Sequence, residues 1–159
     1  MFQETQEIIN QKVAQARAAN IGIVYCVGET LEEREQEMSE DVIHEQLASI
    51  KECLDQTHWQ NVIIAYEPIW AQNTGKISSA DQTQEGLEII RTWLKDNCGG
   101  DVSTKTRIIY AGPITETNTE NIIKLPDVDG FLIGSTSTKP VFRNIFDLVV
   151  SHVERDARN

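Results

Sequence analysis

Hydrophobic positions along the chain change between helical spacing and short continuous runs, and this change predicts the order of the elements. The spacing predicts a helix over residues 3–19 that ends at Asn20, with an apolar face formed by Ile8, Ile9, Val13 and Ala16. The run 21–27 is almost entirely apolar, which is typical of a strand buried on both faces.

The next segment predicts a capped helix and a second strand. Thr30-x-x-Glu33 has the form of a capping box, in which side chains satisfy the first free amides of a helix. The same helical element continues through an apolar stripe at Ile43, Leu47, Ile50 and Leu54. Residues 61–66 then predict a second strand.

The remaining sequence repeats this alternation twice. Ser79-x-x-Gln82 caps a helix carrying Leu87, Ile90 and Leu94, and residues 107–110 predict a third strand. Thr117-x-x-Glu120 is predicted to begin a short helix, and residues 128–133 a fourth strand. We expect the last helix to bury Phe142, Ile145, Phe146, Val149 and Val153.

The element order, one helix followed by four strand–helix units, predicts an α/β fold with four parallel strands and flanking helices. The pattern alone fits either a small doubly wound sheet or part of a (β/α)8 barrel. A whole barrel needs about 250 residues. The 159 residues therefore favour a single partial-barrel domain over 1–159, half of a barrel.

Composition narrows the classes of function. A net charge of -11 argues against nucleic-acid binding, which needs clustered basic residues. The sequence has no apolar stretch of the roughly 18 residues that would cross a membrane, and its first residues do not have the pattern of a signal peptide. Three widely spaced cysteines suit free thiols in a reducing compartment, and with the histidines they form no metal-ligand pattern.

Ligands of parallel α/β folds gather at the carboxyl ends of the strands. In this chain those ends are Gly28-Glu29, Glu67-Pro68, Ala111-Gly112-Pro113 and Gly134-Ser135. The clearest candidate for a catalytic group among them is Glu67, whose apolar neighbours could tune its basicity. The alternative is a strand-end glutamate that pairs with a cation or faces water.

The loops at the strand ends suggest a lid and a phosphate grip. Residues 68–76 are longer than an ordinary connection of about 2–6 residues and include Trp70, which suits a lid that packs in two ways. The small residues of 134–137 and 110–113 allow backbone amides to approach an anion, although each segment can equally be a simple turn.

Several segments together resemble the triosephosphate isomerase family, and the match runs over nearly the whole chain. The most specific is 65–71, Ala-Tyr-Glu-Pro-Ile-Trp-Ala, which resembles the family's catalytic signature. Cys26-Val27-Gly28-Glu29 resembles the segment after the fifth strand. Residues 107–110 and 126–134 resemble strands seven and eight, and Lys139-Pro140 the start of the last helix. The resemblance therefore implies strands 5–8 of a TIM barrel, its C-terminal half.

The resemblance implies interconversion of dihydroxyacetone phosphate and glyceraldehyde 3-phosphate through an enediolate, with no cofactor and no metal. Glu67 corresponds to the base that moves the proton between adjacent carbons. Trp70 corresponds to a lid residue that exchanges partners and contacts Glu29 when the lid is closed. Tyr110 is expected to reach the far end of the lid near Ser78.

The same resemblance implies a phosphate site, which this sequence changes. Backbone amides at Asn73, Gly134 and Ser135 are expected to bind the phosphate. Asn73 and Ser135 stand where glycine is usual, and Ala111 adds bulk to the turn after the third strand. Pro113 stands where the family has a serine and has no N–H, so one phosphate donor should be missing.

The family's catalytic lysine and neighbouring asparagine follow its first strand, and its electrophilic histidine follows the fourth. Since the chain resembles only what comes after the fourth strand, we expect these groups to be missing, and Lys76 in the lid cannot replace the lysine. A base without an electrophile loses much of the stabilisation of the enediolate. The chain alone is therefore expected to be inactive or nearly so. The alternatives are a non-catalytic half-barrel that serves as a structural or interaction protein, and a small-phosphate binding module.

Four parallel strands leave two open sheet edges and an uncovered inner face. We therefore expect the chain either to associate with itself or to need the missing half from another chain. Membership of the family further implies a cytoplasmic setting in glycolysis and gluconeogenesis, and a homodimer.

Overall fold

The computed structural model describes residues 4–72 and 75–156, with side chains described as far as Glu154. The helices within these ranges are α1 Gln6–Ala18, α2 Leu31–Glu35, α3 Ser39–Cys53, α4 Ala80–Cys98, α5 Gly100–Lys105, α6 Glu116–Ile122 and α7 Phe142–Asp156. The strands are β1 Ile23–Val27, β2 Val62–Tyr66, β3 Arg107–Tyr110 and β4 Gly130–Phe131. None of the described helices is both long enough and apolar enough to cross a membrane.

The strands form one parallel sheet in the order β1-β2-β3-β4. Val27 pairs with Tyr66, Tyr66 with Tyr110, and Tyr110 with Phe131, so the carboxyl ends of all four strands lie at the same edge. This confirms the predicted α/β class with four parallel strands and flanking helices, and it corresponds to part of a (β/α)8 barrel.

One face of the sheet packs against the helices and forms the core. Tyr66 and Tyr110 from the strands are fully buried, and they join a cluster with Leu47 of α3 and Leu87 and Ile90 of α4. Because successive strand residues point to opposite faces, the remaining strand positions face away from these helices.

The expectation that the first strand is buried on both faces is wrong. Tyr25 and Val27 are buried on the helical side, whereas Val24 is 50% exposed and Cys26 is also exposed. Leu132, just after β4, is 42% exposed. In the part of the chain that the structure describes, no layer covers these side chains. They form an open face, defined here by Val24, Cys26 and Leu132.

The helix predicted from Thr30 to Leu54 is in fact two helices. Thr30 caps α2 as predicted, because its hydroxyl accepts from the Glu33 amide and the Glu33 carboxylate accepts from the Thr30 amide. Glu37 then adopts a positive φ of 59°. The Met38 amide donates to the Glu33 carbonyl at 2.9 Å, which closes a C-terminal turn and ends α2.

Three further elements differ from the prediction. The short helix α6 is capped by Thr115 with Asn118, not by Thr117 with Glu120. The fourth strand covers only Gly130–Phe131 of the predicted 128–133, and the helix α5 was not predicted. These are short elements for which periodicity gives a weak signal.

The last helix is less buried than predicted. Ile145 is fully buried, but Phe146 is 53% exposed and Val153 is 58% exposed. Phe142 and Val149 are half-buried. The apolar stripe of α7 is therefore wider than the surface available to cover it in the described chain.

Candidate functional site

Glu67 directly follows β2 and lies between the ends of β1 and β3. Its backbone amide donates to the Val27 carbonyl at 2.8 Å, and the Ala111 amide donates to the Tyr66 carbonyl at 2.8 Å. A Cβ at Gly28 would lie 1.9 Å from the Glu67 carbonyl oxygen, so only glycine allows this close approach of two strand ends. The backbone therefore fixes where the Glu67 side chain begins.

A cavity of about 670 Å³ opens at the carboxyl edge of the sheet. The sheet topology brings four of the candidate residues to its wall, Glu67, Pro113, Gly134 and Ser135. Asn73, the remaining candidate for phosphate binding, lies outside the described residues. The cavity is lined by both a carboxylate and a turn of small residues, a combination that can hold a small polar molecule.

The turn after Gly134 consists of small residues, two of which line the cavity. Ser135–Thr138 form a 3-10 turn in which the Ser137 amide and hydroxyl both donate to the Gly134 carbonyl, at 3.0 and 2.7 Å. Gly134 and Ser135 are exposed at the cavity. Pro113 has no amide hydrogen to offer, and its carbonyl is occupied by the Asn118 side chain at 2.9 Å.

Trp70 packs beside the strand ends and contacts Glu29. It lies in the 3-10 turn Ile69–Ala71, is 5% exposed, and its Nε1 donates to the Glu29 carboxylate at 2.9 Å. The Tyr66 hydroxyl donates to the same carboxylate at 3.1 Å. The first residues of the predicted lid are therefore hydrogen-bonded to the loop after β1.

Arg34 supplies the positive charge that Glu29 needs, because Glu29 is fully buried. Its guanidinium donates to Glu29 at 2.9 Å and to Glu85 at 2.7 Å, and it lies 4.9 Å from the centre of the Trp70 ring. Burial raises the pKa of Tyr66 far above its usual value, and the negative charge of Glu29 raises it further. Tyr66 therefore stays protonated and acts only as a donor here.

Tyr110 is fully buried, and no described residue forms a hydrogen bond with its hydroxyl. Burial raises the pKa of Tyr110, while the hydroxyls of Thr83 and Ser78 lower it. Ser78 is 3% exposed, and its hydroxyl shares a hydrogen bond of 2.9 Å with Thr83. A Cβ at Gly112 would lie 2.1 Å from the Tyr110 hydroxyl oxygen, which keeps the turn after β3 tight.

Sequence reasoning missed two residues of this region. Gln72 lines the cavity, and its side-chain amide donates to the Glu67 carboxylate. Arg34 had a usable signal, since it is the only basic residue between Gly28 and Val42 in a strongly acidic segment. Gln72 had no usable signal in the sequence, beyond being a polar residue five positions after the candidate base. Among the described residues no cluster of histidine, cysteine and carboxylate side chains is arranged to hold a metal ion.

One family model and three curated relatives all point to the same protein family. A family model described as "Triosephosphate isomerase" matches residues 1–149. The glycosomal triosephosphate isomerase of Trypanosoma cruzi is 42% identical over 146 residues, which is 92% of this chain and 58% of that protein. The triosephosphate isomerases of Emericella nidulans and Aspergillus oryzae are each 42% identical, over 145 and 147 residues. These stretches cover 91% and 92% of this chain, but only 58% and 59% of those two relatives.

Proposed function

The chain belongs to the triosephosphate isomerase family, and from this membership we propose that it carries the base and part of the phosphate site for interconverting dihydroxyacetone phosphate and glyceraldehyde 3-phosphate. The observation that supports this most directly is the position of Glu67. Glu67 lies at the end of a central strand and lines the same cavity as Gly134 and Ser135.

In the proposed reaction, Glu67 removes a proton from the carbon next to the substrate carbonyl. The electron pair moves onto the carbonyl oxygen and gives an enediolate, and a proton passes from the neighbouring hydroxyl oxygen to that oxygen. The protonated Glu67 then returns its proton to the adjacent carbon as the new carbonyl forms, so the base is regenerated. The amides of Gly134, Ser135 and Asn73 would hold the phosphate, while Pro113 offers no N–H. We therefore expect weaker phosphate binding than a site with an amide at position 113 would give.

The turn Ile69–Ala71, taken here as the hinge, fits a lid that excludes water during this transfer. We propose that the contact of Trp70 with Glu29 belongs to the closed position of the lid, and that Trp70 exchanges this partner when the lid opens. Tyr110 is proposed to hold the far end of the lid near Ser78. The hydrogen bond from Trp70 to Glu29 supports the first of these two assignments.

We propose further that the chain corresponds to the C-terminal part of a whole barrel. It spans 58–59% of the length of the relatives described above. The electrophilic lysine and histidine of the family would then come from the part that this chain does not match. We accordingly expect the 159-residue chain by itself to have little or no isomerase activity.

An isomerase assay tests the role of Glu67. The chain is measured alone and after mixing with a separately expressed segment that covers the first four strands of a family member. We expect activity only in the mixture, and a loss of about 100-fold or more with Glu67→Gln, because a positioned general base contributes about that factor. Glu88→Gln, an exposed carboxylate change on α4, is the matched control.

Two outcomes of this assay would contradict the proposal. Full activity of the chain alone would show that the electrophilic groups are not needed from elsewhere. An active mixture that Glu67→Gln leaves unchanged would remove Glu67 from the reaction.

A second candidate function is a non-catalytic half-barrel that acts through association, and the open face at Val24, Cys26 and Leu132 favours it. A small-phosphate binding module is a third, supported by the exposed backbone at Gly134 and Ser135. An inactive mixture combined with phosphate binding would favour the third, and an inactive mixture with tight self-association would favour the second.

The setting is proposed from the family alone. We propose a cytoplasmic enzyme of glycolysis and gluconeogenesis that acts as a homodimer, with no cofactor. The name of the Trypanosoma cruzi relative places that protein in the glycosome, so compartment differs within the family.

A further inference from the structure

Gln72 occupies the space between the candidate base and the end of β3. It directly follows the turn Ile69–Ala71, and its backbone amide donates to the Ile69 carbonyl at 3.0 Å. Its side-chain Nε2 donates to Oε1 of Glu67 and lies 3.5 Å from the carbonyl oxygen of Ala111. The two hydrogens of one amide group thus face a carboxylate and a backbone carbonyl.

We propose that Gln72 is a positioning residue for Glu67, which it ties to the end of β3 so that the carboxylate keeps one orientation in the cavity. The inference rests on the proposed role of Glu67 as the base. It adds a residue of the lid segment that acts on the base directly.

The chemistry of the three groups favours this arrangement. An ionised carboxylate only accepts hydrogen bonds, and a bond from an amide to a charged acceptor is stronger than a neutral one. The Ala111 carbonyl belongs to the backbone of a strand end and cannot rotate, so it fixes the plane of the Gln72 amide. A free glutamate side chain has several rotamers, and the tie selects one of them.

The position of Gln72 also connects the base to the hinge. The turn that precedes it contains Trp70, which is bonded to Glu29. Any displacement of this turn that breaks the Trp70 contact carries the Gln72 backbone with it. The orientation of Glu67 therefore depends on the position of the hinge, and the base is held in place only while the turn is docked.

Gln46 provides a matched comparison at the same edge of the sheet. Its side chain also bridges two groups, accepting from the Gly28 amide at 2.9 Å and donating to the Gly28 carbonyl at 3.1 Å. Both partners are backbone groups, so no change at Glu67 should alter its hydrogen bonds.

Side-chain amide resonances of the 15N-labelled chain test the tie. The Gln72 pair is identified by its disappearance in Gln72→Met. At pH 7 we expect one proton of the Gln72 side-chain amide to resonate downfield of a solvent-exposed glutamine amide. In Glu67→Gln this resonance should move upfield, because a neutral acceptor replaces the carboxylate. The Gln46 pair should stay in place, which also shows that both variants are folded. A Gln72 pair that is the same with and without the Glu67 carboxylate would overturn the proposal.

The isomerase assay of the chain mixed with the first-four-strand segment tests whether the contact of Gln72 with Glu67 affects catalysis. We expect Gln72→Met to lower kcat about tenfold, the effect of losing a hydrogen bond to a charged group, with little change in KM. A purely structural role would change both constants, and an unchanged or higher kcat would contradict positioning. Failure of the proposed function can be distinguished from failure of the Gln72 proposal. If Glu67 is not the base, Glu67→Gln leaves the activity unaltered, while the resonance shift of Gln72 is still observed.

Discussion

At the scale of single residues, two glutamates at neighbouring strand ends have different environments. Glu29 is fully buried and surrounded by donors from Tyr66, Trp70 and Arg34. Glu67 is half-buried and lines the cavity. A carboxylate whose acceptor positions are filled by protein donors serves structure, whereas one that faces a cavity is available to a ligand. Burial and partners separate these roles, which residue type alone cannot do.

The thiol of Cys26 reports on the charge of Glu67. Partial desolvation raises the pKa of Cys26, and the negative charge of Glu67 raises it further. Glu67→Gln removes the effect of the Glu67 charge, so the pKa of Cys26 falls. At a fixed pH below that pKa, a larger fraction of Cys26 is then thiolate. We expect alkylation of Cys26 by iodoacetamide at pH 8 to become about two- to threefold faster, measured by mass spectrometry of the peptide.

Cys98 is the internal control for this measurement. Burial raises its pKa as well, but the charge that acts on it is that of Lys51, which lowers it. Its rate should therefore be the same in both proteins. Equal rates at Cys26 in the two proteins would mean that the Glu67 side chain is not charged or not close to the thiol.

At the scale of elements, the cap of α6 gives a direct comparison of two neighbouring threonines. The Thr115 hydroxyl accepts from the Asn118 amide, and the Asn118 side chain accepts from the Thr115 amide. We expect Thr115→Ala to reduce the free energy of unfolding by about 1 kcal/mol, as for other N-cap changes. Thr117→Ala should cost clearly less, because Thr117 lies inside the helix. Urea unfolding of both variants checks this, and the reverse order of stabilities would place the cap at Thr117.

The sequence predicted those elements whose signals are local. The strand predicted at 61–66, observed at 62–66, the strand at 107–110, and the caps at Thr30 and Ser79 follow from short patterns that the structure confirms. The break at Glu37 was not predictable, because a positive φ at a glutamate leaves no mark in hydrophobic spacing. The exposure of Val24 and Phe146 depends on which surfaces are available to cover them, and that is a property of the whole fold.

The site was predictable where it follows strand ends. Glu67, Pro113, Gly134 and Ser135 reach one cavity because parallel strands bring their carboxyl ends together. Gln72 was missed because its importance comes from a contact across the fold with Ala111 and from a rotamer, neither of which a motif records.

At the scale of the whole molecule, the open face and the two outer strands leave apolar and hydrogen-bonding surface uncovered. In the described chain, β1 and β4 each pair with one strand only. We expect the chain to associate with itself at micromolar concentration, and more strongly at higher salt, because a net charge of -11 on each copy opposes contact. Size-exclusion chromatography with light scattering measures this.

Substitutions on the open face should reverse the association. Val24→Glu and Leu132→Glu place charge on that face and should shift the chain towards monomer. Ile77→Glu changes an equally exposed apolar residue in the loop before α4 and serves as the control. A folded monomer at all concentrations, unchanged by any of the three substitutions, would contradict the prediction.

The sequential strand order also determines how such a chain can fold while it is being synthesised. Each strand pairs with the strand made immediately before it, so every new strand–helix unit finds its docking surface already present as it leaves the ribosome. Among the described strands, none pairs with a strand encoded more than one strand–helix unit away, so each closure spans a single crossover connection. The open face and the outer edge of β1 stay uncovered throughout, while each helical side is covered as the next unit docks. Slow translation should therefore favour correct folding of this chain over misassembly.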